Sequence, residues 1–301
     1  MKVVLHDGTE QDLSQLDASQ LDQLHWQEER AFAECIRTSP RGSRERADAF
    51  RNGYDTITQI LARRAGAADG HVVMGLSPRY VRLVLRLLER RRREGATPQL
   101  FEVGFGCGDL LAEASRAGFG VAGIEVSTRM LEQARAKLAG APPPRLLLGE
   151  LLSCDTRQLE GVQDVVYWND VFEHLPTDES LDYLRRIHQL LSPGGALVTV
   201  TPNWHARPSD VTGDFLPVRS EPQGFHLKEY TLREMSSLLR QAGFARVTTP
   251  LLVTRRHSML CGGGALSLKC AVEPLLEWLP FRLAELLVRG LALNTTIAWK
   301  R

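Results

Sequence analysis

The chain predicts an α/β fold: a parallel, doubly wound sheet of seven strands, a helical cap over residues 1–98, and a helical insertion over about 258–290 before the last strand. Three observations carry this prediction. From residue 99 onward short apolar runs alternate with helical patterns, as in parallel strands joined by crossover helices. A glycine-rich turn, Gly104-Phe-Gly106-Cys-Gly108, joins the first of these strands to its helix. Before residue 99 the apolar residues recur at helical spacing.

The elements follow in order. Leu13, Leu16, Leu21, Leu24, Ala31 and Ile36 mark a first helix, and Gly42-Ser43 breaks it. Phe50, Tyr54, Ile57 and Leu61 share one face of a second, over 44–65. Ser77-Pro78 starts a third, since proline suits the first helical position. The seven strand candidates are 99–103, 119–126, 145–150, 164–170, 195–202, 246–253 and 292–300. Ser127 is placed to cap the helix that follows the second strand. Further helices fall at about 178–191 and 231–242, the latter with Thr231 and Glu234 at capping-box spacing. The insertion reads as an amphipathic helix pair, its polar stripe running through Lys269, Glu273, Glu277, Arg282, Glu285 and Arg289. Packing of this pair on the domain, or on a second copy as a homodimer, is the first reading. A lid over an apolar acceptor or a membrane contact is the alternative.

Composition narrows the classes. Of 301 residues 43% are hydrophobic and 24% charged, with a net charge of +1, which excludes collagen-like, disulfide-scaffold and disordered chains. Five scattered cysteines without a C-x-x-C, no signal-peptide pattern and no long apolar run point to a cytoplasmic protein. The neutral total disfavours a nucleic-acid partner, although the charge is partitioned. Residues 1–34 hold eight acids and two bases, and residues 35–98 hold six acids and fourteen bases. Such runs are usually solvated helix faces.

The glycine turn carries the first functional reading. Glycines let the chain turn sharply and bring its backbone close to a ligand. Glu102 stands two residues before Gly104, Glu125 ends the second strand where a carboxylate can bind ribose hydroxyls, and Glu150 follows the third strand, within reach of an adenine amino group. Taken together, E102-V-G-F-G-C-G108, G123-I-E125, G149-E150-L, D164-V-V-Y-W-N-D170 and L191-S-P-G-G195 resemble the class I S-adenosylmethionine-dependent methyltransferases. The resemblance implies a Rossmann-like domain over 99–301 that binds S-adenosyl-L-methionine through Glu102, Gly104, Gly106, Gly108, Glu125 and Glu150. It places Asn169 on the adenosine and Arg79 on the methionine carboxylate. Glu150 stands where the family more often has Asp.

Asp170, Glu173 and His174 follow the fourth strand at i, i+3, i+4, so on one helical turn their side chains converge. His226 lies far along the chain, after a Pro-rich connection that can fold back over the site. The D/E-x-x-E-H turn with a distant histidine resembles the ubiquinone-biosynthesis O-methyltransferases and the small-RNA 2′-O-methyltransferases, which implies a divalent metal on Asp170, Glu173, His174 and His226. Two imidazoles with two carboxylates suit Zn, Mn or Fe better than Mg. A metal-free general base, His174 or His226, fits the same residues, as does a structural role. Tyr54 and Trp204 read as packing residues, with lining of an acceptor pocket as the alternative. The expected reaction is methyl transfer to a hydroxyl oxygen of a small molecule, a secondary metabolite or lipid-like precursor. Its rivals are RNA 2′-O-methylation, small-molecule N-methylation and cofactor binding without catalysis.

Overall fold

Parallel strands buried on both faces need nearly continuous apolar runs, and the central strands have them. In the computed structural model, which describes residues 2–66, 77–93, 98–140, 144–253, 258–260 and 263–301, six strands form the bulk of one sheet: β3 (Gln99–Val103), β4 (Gly120–Glu125), β5 (Arg145–Leu148), β6 (Gln163–Asn169), β7 (Leu191–Val200) and β8 (Arg246–Thr248). The seventh, β11 (Thr295–Trp299), inserts antiparallel between β7 and β8, giving the order β5-β4-β3-β6-β7-β11-β8. The other neighbours pair in parallel. The fold is therefore the Rossmann-like, doubly wound sheet that the sequence predicts, with its order reversing at β3 and β6.

The crossover helices start where their caps dictate. α4 (Asp109–Arg116) begins directly at Gly108, whose φ of 76° lies in the left-handed region. α5 (Thr128–Lys137) is capped by Ser127, and α6 (Ser180–Leu190) leads into β7. α8 (Leu232–Gln241) opens with the full Thr231/Glu234 capping box. α3 (Pro78–Arg93) starts at its proline and packs on the sheet through Leu83, Val84, Leu87 and Leu88.

Residues 1–98 are not purely helical. β1 (Lys2–Val4) and β2 (Glu10–Asp12) form an antiparallel hairpin around Asp7-Gly8, whose glycine takes φ 82°. An Asp-Gly pair between short strands is a hairpin signal that the helical reading passed over. α1 (Ala18–Thr38) and α2 (Arg44–Arg64) then form a helical hairpin. The sixth predicted strand also divides. Pro250 has no N–H to donate, so the ladder stops at Thr248, and β9 (Pro250–Val253) turns away to pair with β10 (Ser258–Leu260). The insertion consists of α9 (Gly263–Val272), a 3-10 segment over Glu273–Trp278 and α10 (Phe281–Gly290). A short helix, α7 (Thr212–Phe215), lies in the long connection after β7. Among the described residues no helix is long and apolar enough to cross a membrane.

Candidate functional site

The carboxyl ends of β3, β4, β5 and β6 open into one cleft, the position at which doubly wound sheets bind ligands. Gly104, Gly106, Glu125, Glu150, Asn169 and Asp170 line it. The glycine turn is built for close approach. Gly104 and Gly106 take φ of 66° and 53°, and a Cβ on Gly104 would stand 2.6 Å from Val171 Cγ2. Gly108 serves a different purpose: a Cβ there would meet Ala134 of α5 at 2.8 Å, so this glycine lets two helices pack together.

Glu125 accepts from the N–H groups of Gly106 (2.8 Å), Val126 (2.8 Å) and Ser127 (3.0 Å). Burial raises its pKa, and those three donors act against the rise. The carboxylate thus braces the glycine loop from the edge of the cleft. Glu102 lies under the same loop, where burial, then Glu125 and Asp109, hold its carboxyl well above the ordinary range. Its Oε2 is buried and has no hydrogen-bond partner among the described residues. Burial also raises Glu150. Arg79 stacks over Tyr80, and its positive charge reaches Asp170 and Tyr167. The Asn169 amide donates to Asp170 at 2.6 Å, and Asp170 sits in the left-handed region at φ 52°.

α2 closes the cleft from above, with Phe50 and Tyr54 among its lining residues. Two polar anchors fix this helix. Ser127 donates to Asp55 at 2.7 Å, and Arg46 reaches Asp178 and the buried Glu179 at 2.9 and 2.8 Å. Gly53, in the middle of α2, leaves room for the Phe225 ring, which a Cβ would meet at 2.8 Å. Sequence reading missed this contact, although a glycine inside a helical pattern often marks close packing.

Beside the cleft, the turn Phe172–His174 receives the 208–230 connection. The Glu173 carbonyl accepts from the N–H groups of Leu227 and Lys228 at 2.8 and 3.1 Å, which brings His226 against the turn. Glu173, His174 and His226 each place one ligand atom within 4.8 Å of the other two. Asp170 is not in this group. It lines the cleft, and from there its charge acts on Glu173 and His226. The left-handed backbone at Asp170 explains the separation, because the three residues do not share a regular helical turn.

The protonation states follow from the surroundings. Glu173 is fully buried, and burial, reinforced by Asp170 and opposed by His226, pushes its carboxyl up to about 8. Thr201 donates to its Oε2 at 2.9 Å, whereas its Oε1 has no hydrogen-bond partner among the described residues. His226 Nδ1 donates to Glu229 at 3.1 Å, while its Nε2 stands 4.0 Å from Glu173 Oε1. Burial works against a charged imidazole, but the Glu229 bond and the carboxylates of Glu173, Glu229 and Asp210 raise His226 to about 9. His174 Nδ1 donates to the Phe225 carbonyl at 2.8 Å, leaving Nε2 its lone pair, and burial with the charge on His226 lowers it to about 3. Tyr54 meets the His174 ring edge-on at 5.5 Å and so stands between the cleft and the cluster.

Glu229 was not singled out in the sequence, although it lies three residues from His226 in H-L-K-E-Y. It is fully buried and also accepts from the N–H and the hydroxyl of Ser209, both at 2.8 Å. Trp204 packs under the Arg207 guanidinium, 3.8 Å away.

Residues 75–249 match a family model described as a methyltransferase domain. The chain belongs to this methyltransferase domain family, and its seven-stranded sheet has the fold of the class I S-adenosylmethionine-dependent methyltransferases. It is 32% identical over 105 residues to an uncharacterized methyltransferase of Oceanobacillus iheyensis, an alignment covering 35% of this chain and 47% of the relative. It is 33% identical over 156 residues to the ubiquinone biosynthesis O-methyltransferase of Ruegeria pomeroyi, covering 50% and 60%. The alignments thus span about half the length of these curated relatives. Among solved structures, the 1,6-didemethyltoxoflavin-N1-methyltransferase of Burkholderia thailandensis shares the fold at a TM-score of 0.50 and 17% identity, covering 87% of this chain and 92% of that one.

Proposed function

We propose that the protein transfers the methyl group of S-adenosyl-L-methionine to a hydroxyl oxygen of a small molecule, a secondary metabolite or lipid-like precursor, beside a divalent metal held by Glu173, His174 and His226. The cofactor reading is supported by a glycine turn whose positive-φ backbone lines the cleft at Gly104 and Gly106 and by the carboxylate of Glu125 at the end of the second parallel strand, the ribose position of such folds. In this reading Gly104 and Gly106 give the cofactor close backbone contact, Glu125 the ribose, and Glu150 and Asn169 the adenosine. Arg79 faces the methionine carboxylate, and residues 1–98 serve as the cap of the site.

The observation that carries the metal reading is Glu173 Oε1: a fully buried carboxyl oxygen without a hydrogen-bond partner among the described residues, grouped with two imidazoles. Buried oxygens of this kind are costly unless something satisfies them. The donor set fits Zn, Mn or Fe, and Glu229 holds the far nitrogen of His226 as outer carboxylates do for ligating histidines. A bound metal would polarise the acceptor hydroxyl and lower its pKa. The chain's own residues would do the rest. His174 would present Nε2 because Phe225 holds Nδ1, Tyr54 would position the acceptor at the junction of cleft and cluster, and the cap would keep water from the sulfonium.

O-methylation is favoured over N-methylation because a neutral hydroxyl is the weaker nucleophile and gains most from a group that lowers its pKa. The test is turnover of a hydroxylated acceptor by chelator-stripped protein, then by the same protein supplied with single metals. Restoration by Zn, Mn or Fe is the expected result. Full activity after stripping, with no metal detected in the protein, would overturn the metal. No binding of S-adenosyl-L-methionine by calorimetry would overturn the whole reading.

A further inference from the structure

The 263–290 segment presents an apolar face that nothing among the described residues covers. Leu268, Val272, Leu275 and Trp278 follow one another at intervals of three to four residues, and Leu283 and Leu286 continue on α10. Trp278 is 87% exposed, and Leu268, Leu286 and Leu275 are 66%, 66% and 60% exposed. A cluster this large marks an interaction surface rather than scattered surface residues.

The charges around it identify what the surface fits. Its acids are withdrawn or neutralised. Glu273 is buried and accepts from Leu232 N–H and Asn203, both at 2.7 Å. Glu277 accepts from Arg207 and His205 at 2.6 and 3.0 Å, and Glu285 pairs with Arg289 at 2.6 Å. Arg282, which lies between Trp278 and Leu283 in the chain, is exposed and has no ion-pair partner among the described residues. Arg233 and Arg240 of α8 are exposed beside α9, close enough for their charge to act on Cys270. The face therefore combines protruding Leu and Trp side chains with three exposed arginines, of which Arg233 also donates to the Cys270 carbonyl at 2.9 Å.

We propose that this face docks on an anionic lipid surface, with Trp278 and the leucines entering the headgroup boundary and Arg233, Arg240 and Arg282 meeting lipid phosphates. Self-association would instead bring the like charges of two such sets of arginines together. The element is well built to bear that contact. Through Glu273 and Glu277 it is tied to Asn203, Arg207 and the start of α8, so it docks as a fixed part of the molecule. The inference does not depend on the methyl acceptor or on the metal.

The test is flotation of the full chain with vesicles of pure phosphatidylcholine and with vesicles that also contain phosphatidylglycerol. Binding to the anionic vesicles, weakened by salt, is expected. Leu275→Ser with Trp278→Ser should reduce it about tenfold, and Arg282→Glu about fivefold. These positions are exposed, so melting temperature and circular dichroism should stay unchanged and certify the fold. Absence of vesicle binding, or binding indifferent to the double substitution, would overturn the proposal. So would a concentration-dependent dimer that the same double substitution dissolves, since the occupant would then be a second copy.

Discussion

At the scale of single residues, the site rests on positions where a side chain is either forbidden or has one task. Gly104 is of the first kind. Its φ is positive and its missing Cβ is what Val171 Cγ2 occupies, so Gly104→Ala carries both backbone strain and a clash. A destabilisation of about 2 kcal/mol is expected, read as a fall in melting temperature, together with weaker cofactor binding by calorimetry. Adding Val171→Ala should recover the steric part and leave the strain. If the single variant melts and binds like the parent, the loop does not work as described. Glu229 is of the second kind, a positioning residue that acts through His226. Glu229→Gln keeps the shape but removes the charge that helps hold His226 near 9. Metal affinity should fall about 10- to 100-fold, and the imidazole resonance of His226 should titrate at lower pH. An unchanged titration would show that Glu229 only packs. Gly104 was legible in the sequence because its role is local, between one strand and one helix. Glu229 was not, because its meaning depends on a histidine brought to the turn by contacts across the fold.

At the scale of elements, local signals read well and long-range ones did not. The caps at Ser127 and Thr231, the proline start of α3 and the strands of the parallel sheet were written in neighbouring residues. The antiparallel placement of β11, the break at Pro250 and the β1–β2 hairpin depended on partners or on a turn pair that periodicity does not show. The same holds for the cap. Its helical content was predictable, but its docking depends on Arg46 finding Asp178 and Glu179 more than 130 residues away. Arg46 and Glu179 are almost fully buried, so removing one partner leaves a charge unpaired. Arg46→Ala should cost about 3 kcal/mol and speed amide exchange over residues 44–64 more than over the central strands. Because Phe50 and Tyr54 of α2 line the cleft, the variant should also bind S-adenosylhomocysteine more weakly. Wild-type exchange throughout α2 would mean that other contacts hold the cap.

At the scale of the whole molecule, the sheet, the cap and the 208–230 connection converge on one buried group of charges, and its protons connect site chemistry to global stability. Glu29 of α1 accepts from Phe225 N–H at 2.9 Å, Thr201 beyond β7 donates to Glu173, and Glu229 holds His226, so unfolding any of these parts exposes the group. His226 stands near 9 in the folded chain against an ordinary 6.5, so its contribution is complete below pH 6.5 and disappears as pH rises through 9. Glu173 stands near 8 against 4.5, so the folded chain also holds this proton more tightly, and that contribution fades between pH 4.5 and 8. The two have the same sign. The metal-free protein should therefore be more stable at pH 6.5 than at pH 9, by roughly 1 to 3 kcal/mol, measured by urea unfolding at the two values. A divalent ion competes with these same protons, so its affinity should rise over the same interval, and metal should stabilise the fold most at the alkaline end. Loss of the alkaline destabilisation in His226→Gln would assign it to this imidazole, whereas a stability profile flat from pH 6.5 to 9 in the parent would show that the cluster carries no such protons.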